Sequence, residues 1–210
     1  LTRFSCFFAP NANYFQLQFN IKCDDGYQSK RLEIIKNYKP GILIFSGDLA
    51  NYLYNDSYKS TNSVSWQENF KNEIQNLINQ GHKIVFVYPS PGQNKHLGKL
   101  ALQLWKKNEN DLKFVSGELP KEITAEINKL TPVKTNDFMT YSKPAFELLD
   151  SFSQSQIIRV YPHKIICDEI CHFAYEGNLF YIDKTHFSAF TREKIFNEII
   201  EKAQNKGWLN

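Results

Sequence analysis

The chain has 210 residues and a formal net charge of +3 at pH 7, with 22% charged and 42% hydrophobic residues. This composition excludes a disordered or fibrous protein, and the length suits a single domain over residues 1–210. The weak, scattered charge argues against a nucleic-acid partner. No run of about 18 apolar residues is present that could cross a bilayer, and we expect no signal peptide in this sequence.

Helices and buried strands alternate in the first part of the chain. Residues 1–27 show no clear periodicity and predict an irregular segment. A short helix is expected from Ser29 to Asn37, because Lys39-Pro40 then stops it. The continuous apolar run Gly41–Phe45 is typical of a strand that is buried on both faces, and residues 46–56 are predicted to follow it as a loop.

The same alternation continues to the end of the sequence. A helix is predicted from Ser65 to about Gln80, with Ser65 as its cap and Gly81 as its stop, and Lys83–Tyr88 is a second buried strand. The remaining predicted elements are a helix at 97–107, an edge piece at 114–116, helices at 122–130 and 144–150, a third strand at 156–160 and a final helix at 191–203.

Strands that alternate with helices imply crossover connections. We therefore expect a three-layer α/β/α fold with a mostly parallel central sheet. In such sheets, sites form at the carboxyl ends of the strands. The loops at 46–56, 88–96 and 161–190 are accordingly predicted to come together.

Four cysteines form two sets that are close in sequence, Cys6 with Cys23 and Cys167 with Cys171. Such pairs are typical of disulfides in an oxidising compartment, and closing the Cys6–Cys23 loop would contribute about 3 kcal/mol of stability. A zinc site is the rival interpretation, because His163 and His172 lie near the second pair, although the usual C-x2-C spacing is absent. Four unpaired buried thiols are the third interpretation.

Asp183 and His186 stand three residues apart just before the last predicted helix. A general base for acyl transfer must accept a proton near neutral pH, which suits histidine, and a carboxylate can orient the ring and stabilise its charged form. The spacing alone is a weak signal, and the alternative is that Asp183 or Ser188 only caps the final helix. His96, on the loop after the second strand, is a candidate for substrate contact.

The segment Asp183-Lys184-Thr185-His186-Phe187-Ser188, followed by a helix, resembles the Asp-x-x-His block of SGNH hydrolases. More narrowly, the chain is similar to the extracytoplasmic SGNH-type domain that is fused to integral-membrane acyltransferases which modify bacterial surface polysaccharides. Three further features agree with this resemblance: the short paired-cysteine loop Cys167–Cys171, the Thr-x-x-x-Cys stretch Thr2–Cys6, and the strand followed by Gly47-Asp48-Leu49-Ala50-Asn51-Tyr52.

This chain departs from the family at the position of the nucleophile. In the family it is the serine of a Gly-Asp-Ser block on the first strand, upstream of the Thr-x-x-x-Cys stretch. Gly47-Asp48-Leu49 has leucine in the third position and by its order matches a later loop. We therefore expect that the first strand and helix are missing and that the serine lies upstream of Leu1.

The resemblance implies acyl transfer, namely O-acetylation or de-esterification of a bacterial surface polysaccharide such as lipopolysaccharide. His186 would deprotonate the serine, Asp183 would orient His186, and Gly47 and Asn51 are candidates for oxyanion or substrate contacts. The implied partners are a glycan acceptor and a membrane acyltransferase domain that supplies the acyl donor. The implied location is periplasmic, tethered to the inner membrane, and neither a cofactor nor a metal is expected.

The missing serine favours a second interpretation. The domain could be catalytically inactive and could bind and position carbohydrate for the membrane acyltransferase. The Asp183/His186 pair argues against this alternative.

Overall fold

The structure is a computed structural model that describes residues 6–16, 21–107, 118–153 and 155–209. The chain divides into two compact units. The first unit is Leu1–Pro89 with Tyr141–Val160, and the second is Ser90–Thr140 with Tyr161–Asn210. That both belong to one domain stays a prediction. Within the described ranges, no helix has the length and apolar character needed to cross a membrane.

Ten strands and eight helices are found in the described ranges. In chain order they are β1 (Ala12–Gln16), β2 (Ile21–Cys23), α1 (Asp25–Asn37), β3 (Ile42–Phe45), α2 (Leu49–Tyr54), β4 (Lys59–Ser60), α3 (Trp66–Asn79), β5 (Lys83–Val87), α4 (Leu97–Lys107), α5 (Lys121–Leu130), β6 (Val133–Lys134), α6 (Thr135–Asp150), β7 (Ile157–Val160), α7 (His163–Ile166), β8 (Ile170–Cys171), β9 (Ala174–Tyr175), β10 (Asn178–Leu179) and α8 (Ala189–Asn205).

A parallel sheet of order β3-β5-β7 lies in the first unit. In its register Val85 stands between Ile44 and Ile158. The predicted α/β class with a parallel sheet is therefore confirmed. β3 differs from the prediction of burial on both faces, because Ile44 is 50% exposed and β3 has a neighbour on one side alone in the described part of the sheet.

The core of the first unit is aromatic. Phe70, on the inner face of α3, is fully buried, and its ring centroid lies 5.4 Å from that of Phe7 and 5.9 Å from that of Phe152. Helix α3 begins as predicted, because the Ser65 hydroxyl accepts a hydrogen bond from the N–H of Glu68. It ends before Gly81, whose φ of +92° favours glycine.

Three expectations for the first 60 residues are wrong. The segment expected to be irregular contains β1 paired antiparallel with β2 and β4. Helix α1 begins four residues before Ser29, because Asp24 caps it by accepting from the N–H of Tyr27. The loop expected at 46–56 contains α2, a short helix that buries Leu49, Ala50 and Tyr52.

The second unit buries a cluster around Phe173 and Tyr181, to which α4 and α5 contribute Leu97 and Ile127. Helices α4, α5 and α8 agree closely with the predicted ranges. Helix α6 begins at Thr135, nine residues before the predicted start, so that Pro144 lies inside it. The edge piece expected at 114–116 lies outside the described residues.

Candidate functional site

The segment that contains Asp183 and His186 is a tight loop of the second unit. The N–H of Ile182 donates to the carbonyl of His186 at 2.9 Å, and the N–H of Ser188 donates to the carbonyl of Phe180 at 3.0 Å. Ser188 then caps α8 by accepting a hydrogen bond from the N–H of Thr191. The capping role that we weighed for Asp183 or Ser188 therefore falls to Ser188, and the Asp183 carboxylate is available for other contacts.

The Asp183 carboxylate holds the backbone and the imidazole of the same loop. Its Oδ1 accepts hydrogen bonds from the N–H groups of Thr185 and His186 at 2.9 and 2.8 Å. Its Oδ2 lies 2.7 Å from Nδ1 of His186. The His186 side chain is 58% exposed and that of Asp183 is 29% exposed. The loop thus presents an oriented imidazole to solvent, with the carboxylate behind it.

These contacts keep Asp183 ionised. Partial burial alone would raise the pKa of its carboxyl group. The N–H groups of His186 and Thr185, together with the His186 ring, outweigh that effect and lower the pKa to about 2. Near neutral pH the group is therefore a carboxylate that can accept the Nδ1–H of His186 and stabilise the protonated ring.

The loop rests on the first turn of α4, whose N–H groups have no partner within the helix. The N–H of Gly98 donates to the carbonyl of Ile182 at 3.1 Å, and the N–H of Leu97 donates to that of Asp183 at 3.4 Å. Glycine is required at 98 by this close approach, because a Cβ there would stand 2.8 Å from the Ile182 oxygen. Sequence analysis missed Gly98, since the glycine sits in a helical pattern with no turn signal.

Gln93 and Pro91, which precede α4, also make hydrogen bonds with the segment around the Asp183 loop. The N–H of Gln93 donates to the carbonyl of Lys184 at 3.3 Å. The Tyr181 hydroxyl, on a fully buried side chain, donates to the carbonyl of Pro91 at 2.6 Å. His96, which we considered for substrate contact, accepts at Nδ1 from the N–H of Lys99 and so helps to begin α4.

Gly47 and Asn51 belong to the first unit, whereas Asp183 and His186 belong to the second. Gly47 follows β3 and is exposed, and Asn51 is a half-buried residue of α2. Both therefore lie beyond the carboxyl end of a parallel strand, where ligands commonly bind in such sheets. Their participation in one site with His186 stays a prediction.

The structure joins Cys6 to Cys23 and Cys167 to Cys171. The second bond closes the five-residue loop Cys167–Cys171, and Asp168 Oδ2 of this loop lies 3.1 Å from Nε2 of His172, the residue after it. Because disulfide sulfurs are not thiolates, Cys167 and Cys171 do not offer the ligands that the zinc interpretation needs. The described part of the chain holds no group of three or more histidine, cysteine or acidic side chains that could bind a metal.

Two comparisons with known proteins give a match to the chain. A family model for SGNH domains fused to AT3 domains matches residues 1–201. A solved structure of the periplasmic domain of a lipopolysaccharide acetyltransferase from Salmonella ser. Paratyphi A is similar, with 16% identity and a TM-score of 0.44. The match covers 88% of this chain and 64% of that one, so the present chain spans less than two thirds of that domain's length. No curated protein matches the chain.

Proposed function

This chain belongs to the family of SGNH domains that are fused to AT3 domains, and on that premise we propose that it takes part in Ser-His-Asp acyl transfer to, or from, a surface glycan. The observation that carries the proposal is the 2.7 Å contact between Asp183 Oδ2 and His186 Nδ1 on an exposed loop. An oriented imidazole backed by a carboxylate is the acid–base pair that such chemistry needs.

His186 acts as the general base in the proposed mechanism. With Nδ1–H donated to Asp183, the neutral ring carries its lone pair on Nε2, which accepts the proton of the serine hydroxyl as the oxygen attacks the acyl carbonyl. The protonated ring then returns the proton to the departing alcohol of the donor, which leaves an acyl-serine. In the second half, His186 deprotonates an acceptor hydroxyl or water, whose oxygen attacks the acyl-serine ester, and the protonated ring returns the proton to the departing serine oxygen, which regenerates the serine.

We propose that the serine is carried by sequence outside this chain, on a strand that pairs with β3. In the described sheet β3 is paired on the β5 side alone, and its apolar residue Ile44 is 50% exposed. Parallel strands are normally covered on both faces and paired within the sheet. The open edge therefore supports a further strand there. Gly47 and Asn51, just beyond the end of β3, remain the proposed oxyanion or substrate groups.

The acceptor in this proposal is a bacterial surface polysaccharide such as lipopolysaccharide, and the donor is supplied by the fused membrane acyltransferase domain. The proposed location is the periplasm, with the domain tethered to the inner membrane through that fusion. The two disulfides support an oxidising compartment.

The test is turnover of 4-nitrophenyl acetate by the full-length parent protein with His186→Ala. We expect a loss of at least about 100-fold, because general base catalysis contributes that much. The matched control is His172→Ala, which removes a second histidine that contacts an aspartate in the second unit and should leave turnover within about twofold. Retained turnover in His186→Ala would remove this residue from the mechanism.

The inactive carbohydrate-positioning domain remains a second candidate, because the 210-residue sequence contains no Gly-Asp-Ser block. A fluorophosphonate probe on the full-length protein separates the two functions, since labelling requires an activated serine. Labelling that is lost in His186→Ala supports catalysis. Absence of labelling in a protein that still binds glycan supports the positioning role.

A further inference from the structure

Two exposed tyrosine rings lie side by side on the first unit. Tyr54 ends α2 and is 69% exposed, and Tyr141 on α6 is 37% exposed. Their ring centroids are 4.9 Å apart and the ring planes are inclined by 45°. Because large aromatic surfaces in water are unfavourable, a pair of exposed rings in contact marks a surface on which a ligand can gain binding energy.

Asn51 lies beside this pair with its amide orientation fixed. Its Oδ1 accepts a hydrogen bond from Asn55 Nδ2 at 2.6 Å and one from the Tyr141 hydroxyl at 3.4 Å. Both acceptor positions of the oxygen are thereby used, which turns the NH2 group away from these partners. Within the described residues no hydrogen bond from Asn51 Nδ2 is found, so two oriented donors are available to a ligand.

Tyr54, Tyr141 and Asn51 form one surface patch, and its position and charge limit the class of ligand that it can bind. α2 begins four residues after the end of β3, at the carboxyl edge of the parallel sheet. Burial raises the pKa of Tyr141, and the negative charge of Asp48 adds to this effect, so Asp48 acts on the patch. A carboxylate at this place disfavours an anionic ligand such as a phosphate or a nucleic acid.

We propose that Tyr54, Tyr141 and Asn51 form a subsite for a neutral sugar ring of a glycan. The negative faces of the tyrosine rings attract the polarised C–H groups on the apolar face of a pyranose. The Asn51 NH2 group and the tyrosine hydroxyls bind the sugar hydroxyls at its rim. The inference rests on the proposed function in one respect, namely that the bound sugar is part of the acceptor glycan.

The test is titration of the isotopically labelled domain, extended by the upstream sequence that we propose to carry the serine strand, with maltohexaose, laminarihexaose and mannohexaose, followed by NMR. We expect at least one of these neutral sugars to shift the side-chain amide signals of Asn51 and the ring signals of Tyr54 and Tyr141. Tyr54→Ala and Tyr141→Ala should each weaken binding about three- to tenfold, the range for loss of one aromatic contact.

The matched control is Tyr38→Ala, which removes a tyrosine that is 72% exposed elsewhere on the first unit and should leave the affinity unchanged. The variants are compared only where their spectra keep the dispersion of the folded chain. The inference is overturned if none of the three sugars shifts these signals, or if binding survives both tyrosine substitutions. If the signals of Asn51, Tyr54 and Tyr141 respond to an apolar peptide and to none of the sugars, the inference is also overturned, because the patch would then bind a protein partner.

Binding is measured here without turnover, so the two proposals can fail separately. Sugar binding at the patch in a protein without ester turnover would leave the subsite in place and remove the catalytic role. Turnover that depends on His186 in a protein without sugar binding would do the reverse.

Discussion

Asp183 is held in its ionised form by groups from its own loop, and this predicts its titration. The pKa of its carboxyl group in the folded chain is about 2, below the ordinary value of 3.8. The contacts of the carboxylate therefore stabilise the folded loop fully at pH values above 3.8, and this stabilisation is lost as the pH falls through about 2. Carboxyl ¹³C chemical shifts of Asp183, followed against pH, should show a midpoint near 2.

The substitution His186→Ala should raise that midpoint but keep it below the ordinary value. The variant loses the ring contact at Oδ2, whereas the N–H groups of residues 185 and 186 still bind Oδ1. His172→Ala should leave the midpoint unchanged. An ordinary midpoint in the native chain, or one insensitive to His186→Ala, would contradict this account of the loop.

The residue pair itself was open to prediction from sequence, but its surroundings were not. Three residues of spacing are enough to bring Asp183 and His186 into contact, because the partners lie in one turn. The contact of Tyr141 with Asn51 joins residues that are 90 apart in sequence. Nothing local in either segment indicates such a partner, since the fold alone brings α2 and α6 together.

At the scale of elements, the packing of α4 against the Asp183 loop predicts that Gly98→Ala misplaces the acid–base pair. The added Cβ would stand 2.8 Å from the Ile182 oxygen, so the loop or the helix must move. A displacement of about 1 Å can cost about 100-fold in rate, and we expect a loss of roughly 10- to 100-fold in ester turnover by the full-length protein.

Gly92→Ala is the matched control, because its Cβ would meet the same loop at ordinary contact distances of 3.7 Å and more. The Nδ1 proton resonance of His186 gives a readout that does not depend on activity. It should broaden or shift in Gly98→Ala and stay in place in Gly92→Ala. Equal effects of the two substitutions on this signal would show that the close approach at Gly98 does not position the pair.

Elements with strong periodicity or continuous apolar runs were predicted well, and short elements were not. α3 repeats its apolar residues at helical spacing between a serine cap and a glycine stop, and β5 is apolar almost throughout. By contrast α2 has only six residues, and β2 has three. Elements this short owe their formation to tertiary packing and to neighbouring strands, which local pattern does not record.

At the scale of the whole molecule, the two disulfides should differ in their contribution to stability. The bonded cysteines are separated by 17 residues in Cys6–Cys23 and by 4 in Cys167–Cys171. In the chain-entropy model the longer loop contributes about 3 kcal/mol and the shorter loop about 2 kcal/mol. Each pair is replaced by serines, and urea unfolding is followed with separate probes in the first and second units. A larger loss on removal of Cys167–Cys171 would contradict the ordering.

The overall class was predictable because alternation of helices and strands permits few arrangements. Three parallel strands in the order of the chain follow from that alternation, and the structure shows them. The division into two compact units was not predicted. The chain crosses between them after Pro89, Thr140 and Val160. The first point lies in Pro89-Ser90-Pro91-Gly92, which is typical of an ordinary loop after a strand, and the second lies inside α6, so composition does not distinguish these boundaries from turns within one unit.

The turn at Asp183 has a consequence for how such chemistry can be inherited. The three hydrogen bonds that Asp183 makes with Thr185 and His186 close within four consecutive residues. A short segment of the chain, Asp183–His186, therefore encodes the contact between the carboxylate and the imidazole. A designer who grafts Asp183–His186 into an unrelated hairpin would transfer these hydrogen bonds, but would also need to supply a support in place of the first turn of α4, which holds the loop through Leu97 and Gly98.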